Sequence, residues 1–254
     1  MTNIFDSHAH YDDERFDEDR EAQLASLPER GVCGVINIGC SLPRAEESVR
    51  MAERYPHVYA AIGIHPEDAS GLPDDYLERL RTLAQHDKVV AIGEIGLDYH
   101  YEGFNKNDQQ RILREQLALA QELTLPVVIH SRDATADCMA ILREYKPRGV
   151  MHCFSGSVET AKEVLALGMS ISLTGVVTFP KAQRAVEVAA MIPPDRLLLE
   201  TDCPYMAPVP YRGKRCDSTM IASTAARIAE LRGEDTQTLI DRCTENTKRL
   251  FAII

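Results

Sequence analysis

Ile4-Phe5-Asp6-Ser7-His8-Ala9-His10 sets the reading of this chain. Two apolar residues lead into a run in which, if the backbone is extended, successive side chains alternate between faces. Asp6, His8 and His10 then share one face, and two imidazoles two residues apart can reach one metal ion. A strand with histidines on its polar face has the same pattern. Whether a metal is involved depends on whether further ligands arrive at matching positions elsewhere.

Seven more apolar, strand-like runs follow: Cys33–Gly39, Val58–Ile64, Val89–Ile95, Pro126–His130, Val150–Phe154, Ser170–Leu173 and Leu197–Glu200, with Asn3–His8 as the first. Between them the apolar residues recur at helical spacing, as in Ile112, Leu113, Leu117, Ala120 and Leu123, in Met139, Leu142 and Tyr145, and in Ile221, Ala225, Ile228 and Leu231. Gly31, Pro56, Pro126, Gly149, Gly168 and Pro193 punctuate the boundaries. Repeated strand–helix units imply parallel strands with right-handed crossovers, and eight of them predict an α/β chain closed as a (β/α)8 TIM barrel. An open doubly wound sheet is the alternative, but no Gly-x-Gly-x-x-Gly follows the first strand. A barrel of this kind accommodates all 254 residues, so residues 1–254 are expected to form a single domain. The acidic stretch Asp12–Glu21 reads as a solvated loop and helix start.

Composition narrows the function classes. The apolar content of 44% suits a substantial core, and no apolar run approaches the roughly 20 residues that span a bilayer. No basic and apolar leader opens the sequence, so a cytoplasmic location with no membrane association is expected. Seven scattered cysteines without a Cys-x-x-Cys pair argue for reduced thiols rather than a disulfide framework. A formal charge of −11 argues against a broad basic face for nucleic acid, though a local cationic site or bound metal can still attract phosphate.

Barrel enzymes carry their chemistry at the C-terminal ends of the strands. Those ends hold His8 and His10, His65, Glu94 and Asp98, His130 to Asp133, His152 to Gly156, and Glu200 to Asp202; His57, His86 and His100 fall elsewhere. A donor set of nitrogen and carboxylate oxygen without thiolate suits Zn2+, Mn2+ or Mg2+. Four imidazoles and two carboxylates exceed one tetrahedral centre and suit two ions with one carboxylate bridging. Such pairs characteristically hydrolyse phosphate esters or amides.

Asp6-Ser7-His8-Ala9-His10, Gly63-Ile64-His65-Pro66, Gly93-Glu94-Ile95-Gly96-Leu97-Asp98-Tyr99, Val128-Ile129-His130-Ser131-Arg132, His152-Cys153-Phe154-Ser155-Gly156 and Leu199-Glu200-Thr201-Asp202-Cys203-Pro204-Tyr205 together resemble the TatD family of metal-dependent deoxyribonucleases. The resemblance spans essentially the whole chain. It implies an amidohydrolase-type TIM barrel with two divalent ions, one held by His8, His10, Glu94 and Asp202 and the other by Glu94, His130 and His152. It also implies a 3'-5' exodeoxyribonuclease acting on the single-stranded ends of DNA through a water activated by both ions. On that reading Asp202 orients the water or accepts its proton, and Glu94 bridges. His65 either donates to substrate phosphate or fixes the turn at Pro66. Arg132, Ser155, Arg212 and Lys214 are the remaining candidates for phosphate contact, and Tyr205 and Tyr211 for base stacking. Glu200 could support a ligand from behind. A monomer is expected. The alternative is a metal-dependent ester or amide hydrolase such as an aminoacyl-tRNA deacylase. One departure is visible: family members commonly follow Ala-Pro-x-Pro-x-Arg-Gly-Lys with Asn-x-Pro after one charged residue, whereas here Lys214 is followed by Arg215-Cys216-Asp217-Ser218.

Overall fold

The computed structural model describes residues 1–254. Eight parallel strands form one sheet in sequence order: β1 (Ile4–Ala9), β2 (Val32–Gly39), β3 (Val58–Ile62), β4 (Val89–Asp98), β5 (Val127–Arg132), β6 (Gly149–Met151), β7 (Ser170–Leu173) and β8 (Leu197–Leu199). The helices are α1 (Arg20–Ser26), α2 (Leu42–Arg54), α3 (Tyr76–Leu83), α4 (Lys106–Leu123), α5 (Thr135–Tyr145), α6 (Val158–Ala166), α7 (Gln183–Met191), α8 (Ile221–Arg232) and α9 (Thr236–Phe251). The barrel closes where Ala9 bridges Cys203 and where His10 N–H donates to the Cys203 carbonyl (2.8 Å) and Asp202 N–H to the His8 carbonyl (2.9 Å). The TIM-barrel architecture expected from the alternating runs is therefore present.

Two apolar layers hold it together. Ile36 and Ile38 of β2, Val128 of β5, Val150 of β6 and Leu198 of β8 fill the barrel interior, and Phe251 and Ile253 pack into the same cluster. Val35, Val127, Ile129, Leu197 and Leu199, on the opposite strand faces, meet the helices in a larger outer layer. The period-2 alternation of the strands produces this division, and inward residues beyond the apolar layers carry the polar groups.

Two strands depart from simple alternation. The pairing of β1 with β2 shifts between Asp6 and Ala9. Asp6 makes no hydrogen bond to the imidazole rings whose face it was expected to share. It accepts from Thr201 N–H (3.0 Å), Thr201 Oγ1 (2.5 Å), Ser218 Oγ (2.7 Å) and His8 N–H (3.2 Å), and so ties β1 to the segments that follow β8. In β4 the pairing with β5 shifts between Ile92 and Ile95; both isoleucines stay in the outer layer while Glu94 turns inward. Gly96 permits the close approach of β4 to β5 there, since a Cβ at that position would lie 2.0 Å from the His130 carbonyl oxygen. β6 is shorter than expected and ends at Met151, so His152 lies in the turn beyond it.

Asp6→Ala leaves the Thr201 amide and two hydroxyls buried without their acceptor. We expect a loss of about 2–4 kcal/mol, read as a fall in Tm of about 4–16 °C for a chain of this size. An unchanged Tm would show that Asp6 does not close the barrel.

Candidate metal centre

Glu94 stands at the middle of the C-terminal mouth, almost wholly buried, with its two oxygens facing different partners. Oε2 lies 3.3 Å from His8 Nε2 and 3.9 Å from His10 Nε2. Oε1 lies 2.8 Å from His130 Nδ1 and 2.7 Å from His152 Nε2. Asp202 Oδ1 completes the first group, 3.3 Å from His10 Nε2 and 3.6 Å from His8 Nε2. The six residues expected as ligands thus come together from five parts of the barrel: the ends of β1, β4 and β5 and the turns after β6 and β8. His65, also at this mouth, holds its Nε2 3.7 Å from Glu94 Oε1.

Hydrogen bonds behind the rings fix which nitrogen faces the cavity. His10 Nδ1 donates to the Ile38 carbonyl (3.2 Å), which leaves Nε2 as a lone pair in the neutral ring. His130 Nε2 donates to Asp98 Oδ2 (3.0 Å), which leaves Nδ1 as the lone pair toward Glu94 and His152. Elsewhere nitrogen faces nitrogen: His8 Nε2 is 3.1 Å from His10 Nε2, and His130 Nδ1 is 3.2 Å from His152 Nε2. Lone pairs and carboxylate oxygens at these separations repel one another unless positive charge lies between them. The donor set therefore fits divalent cations. Protons answer the same demand in the cation-free geometry. Burial would lower His130, but Asp98 and Glu94 outweigh it and push its pKa up to about 9. Burial would raise Glu94, yet the adjacent His152 and His8 rings hold its carboxyl well below the usual range.

His65 is different. Its Nδ1 accepts from the Glu67 amide (3.2 Å), capping the 3-10 turn Pro66–Asp68, so its neutral ring carries the proton on Nε2. Burial lowers its pKa to about 4, which keeps the ring neutral. His65 thus fixes the turn and also presents an N–H to the cavity.

Buried amides hold the strand ends in place. Gln109 and Gln116, seven apart on the inner face of α4, each make a two-bond clamp on a backbone unit: Gln116 on Ile64 (2.7 and 3.1 Å) and Gln109 on Asp98 (2.9 and 2.8 Å). Asn37 accepts from Tyr11 N–H (2.7 Å), just after His10. Glu200 accepts from Cys153 N–H (2.5 Å) and Ser172 Oγ (2.6 Å) behind His152. Cys153 and Asp202 both adopt left-handed backbone, at φ of 42° and 59°, where non-glycine residues rarely sit. Asp98 belongs to the motif at the end of β4, but its bond to His130 was not visible without the fold; its acidic character at a strand end was the only signal.

The candidate substrate residues divide. Arg132 and His65 line a cavity of about 320 Å³ with Glu94, His130, His152 and Asp202. Asp133 does not pair with Arg132; it meets His100 Nδ1 (2.9 Å), and Arg132 donates to Tyr101 Oη (3.3 Å). Ser155 lies in an adjoining cavity. Arg212 and Lys214 lie around a separate hollow with Tyr205 and Phe179, the Arg212 guanidinium 4.1 Å from the Phe179 ring centre. The structure does not bring them to the histidine ring. Tyr205 borders both regions and donates to Asp13 Oδ2 (2.8 Å).

Comparison with known proteins gives the family of the chain. The family model described as TatD related DNase matches residues 5–252. The metal-dependent hydrolase YabD of Bacillus subtilis is 42% identical, over 98% of this chain and 99% of its own length. The 3'-5' ssDNA/RNA exonuclease TatD of Cronobacter sakazakii is 38% identical, over 98% and 97%. Among solved structures, the TatD homolog YJJV of Escherichia coli superposes with a TM-score of 0.93 at 34% identity, over 99% of each chain.

A cation that binds the folded site stabilises the fold by mass action. At about a hundred times Kd the gain is about 2.7 kcal/mol, or about 5–10 °C in Tm. Chelation with EDTA followed by Mn2+ or Zn2+ should lower and restore the melting temperature by that amount. A melting curve indifferent to both would contradict the reading of the donor set.

Proposed function

Since the chain belongs to the TatD-related DNase family, we propose that it is a divalent-metal-dependent hydrolase that removes nucleotides from the 3' ends of single-stranded DNA. The observation that carries this reading is the convergence of imidazole lone pairs on both oxygens of one buried carboxylate. His8, His10 and Asp202 with Glu94 Oε2 would hold one ion, and His130 and His152 with Glu94 Oε1 the other. When bound, such a pair supplies Lewis-acid charge to the phosphoryl oxygens and makes water acidic enough to attack at neutral pH.

The remaining chemistry belongs to the side chains. Asp202 lines the cavity with Oδ1 turned to His8 and His10, and its second oxygen would take the proton of the attacking water. His65 offers its Nε2–H to a phosphoryl oxygen whose charge grows as the bond to the leaving oxygen breaks. Arg132, with no carboxylate partner, offers a planar fork that matches a phosphate. Asp98 and the Ile38 carbonyl act through His130 and His10, keeping each ring turned toward the centre.

Two variants separate these roles. Asp202→Asn should lower kcat at least about 100-fold on a single-stranded oligonucleotide, with metal content measured alongside by elemental analysis. Full activity in a metal-replete Asp202→Asn protein would remove its assigned role. His65→Ala should keep wild-type metal content while kcat falls about 10- to 1,000-fold; loss of metal instead would make His65 a ligand. Release of nucleotides from DNA, compared with deacylation of charged tRNA under the same ions, tests the substrate class. Deacylation alone would overturn the nuclease reading.

A further inference from the structure

Beside the histidine ring, and sharing Arg132 and His152 with it, lies a second cavity of about 380 Å³. This is near the lower end of the roughly 300–1,000 Å³ found for small-molecule sites, and about the size for one nucleotide. Its wall includes Arg184 of α7, a residue distant in sequence from every motif at the strand ends. Neither Arg132 nor Arg184 is engaged by a carboxylate: Arg132 donates to the Tyr101 hydroxyl, and the one acid in the wall, Asp133, is held by His100. In a chain of net charge −11, two arginines without a carboxylate partner lining one cavity call for an anionic ligand. The opposite character is present too, since Met139, Met151 and Phe154 supply an apolar surface in the same wall. Methionine and phenylalanine give a base or sugar an adaptable surface with no hydrogen-bond code.

We infer that this cavity is a second-phosphate subsite, which receives the nucleotide adjoining the scissile bond, with Arg132 toward the reacting phosphate and Arg184 on the next one. The inference rests on the nuclease reading and specifies its substrate. In cleavage from a 3' end, the released nucleotide carries only the scissile phosphate. A second phosphate exists only on the retained side, so the cavity holds the penultimate nucleotide, and Arg184 sets a preference for substrates that continue beyond it. Arginine suits the task because its fork binds a phosphate in two hydrogen bonds.

The test uses a thymidine dinucleotide with and without a 5'-phosphate. Equilibrium binding is measured by calorimetry on EDTA-treated protein, and cleavage is measured with divalent metal. Wild-type protein should bind the phosphorylated form about tenfold more tightly and cleave it with a correspondingly higher kcat/KM. Arg184→Ala should bring both ratios close to one, Arg184→Lys should recover part of each, and Arg227→Ala, which removes a charge on α8, should match the wild type. Equal binding of the two forms by wild-type protein, or a preference that survives Arg184→Ala, would overturn the subsite. Arg184-dependent binding without cleavage of either form under any divalent ion would overturn the nuclease reading and leave the subsite standing. Cleavage of both forms without preference would do the reverse.

Discussion

One carboxylate organises the C-terminal mouth of this barrel. Glu94 is buried, and each of its oxygens meets a different pair of imidazoles, His8 and His10 on one side, His130 and His152 on the other. A buried charge is tolerated only when it is paired and hydrogen-bonded. Here the partners are rings whose lone pairs are themselves turned inward, so the arrangement becomes favourable only with positive charge among them. Everything else near the site serves to keep that unfavourable set of donors in place.

The barrel does this by clamping backbone rather than by adding ligands. Gln109 and Gln116 from one helix fix the ends of β4 and β3, Asn37 fixes the chain after His10, and Asp6 joins β1 to the segments after β8. The outer hydrogen bonds to His10 and His130 choose the ring nitrogen that faces the centre. His65 shows the same logic with the opposite result, because a backbone amide on its Nδ1 leaves a proton on Nε2 and makes it a donor. Two histidines a few ångströms apart thus have different chemistry, decided by one hydrogen bond each.

Much of this was legible in the sequence, since period-2 apolar runs broken by glycine and proline locate all eight strands and their C-terminal ends carry His8, His65, Glu94, His130 and Asp202. What was not legible has identifiable causes. Strict alternation places Asp6 beside His8, and it also places Glu94 with Ile92 on the outer face. Register shifts in β1 and β4 change both, and those shifts are set by neighbouring strands rather than by local residues. Asp98 needs β5 beside it before its bond to His130 exists. Arg184 comes from α7, and only the closed barrel brings it to the cavity next to His152. Arg212 and Lys214, drawn in by their phosphate-binding chemistry and nearness in sequence to Asp202, lie instead around the hollow beside Phe179.

The central claim is that Glu94 joins two cation sites into one. Anomalous diffraction from Mn2+-soaked crystals of the wild-type protein and of Glu94→Gln tests it most directly. The account predicts two peaks about 3.5–4 Å apart flanking the Glu94 carboxylate in the wild type, and both weakened together in Glu94→Gln. A single peak in the wild type, or two full peaks in Glu94→Gln, would contradict it.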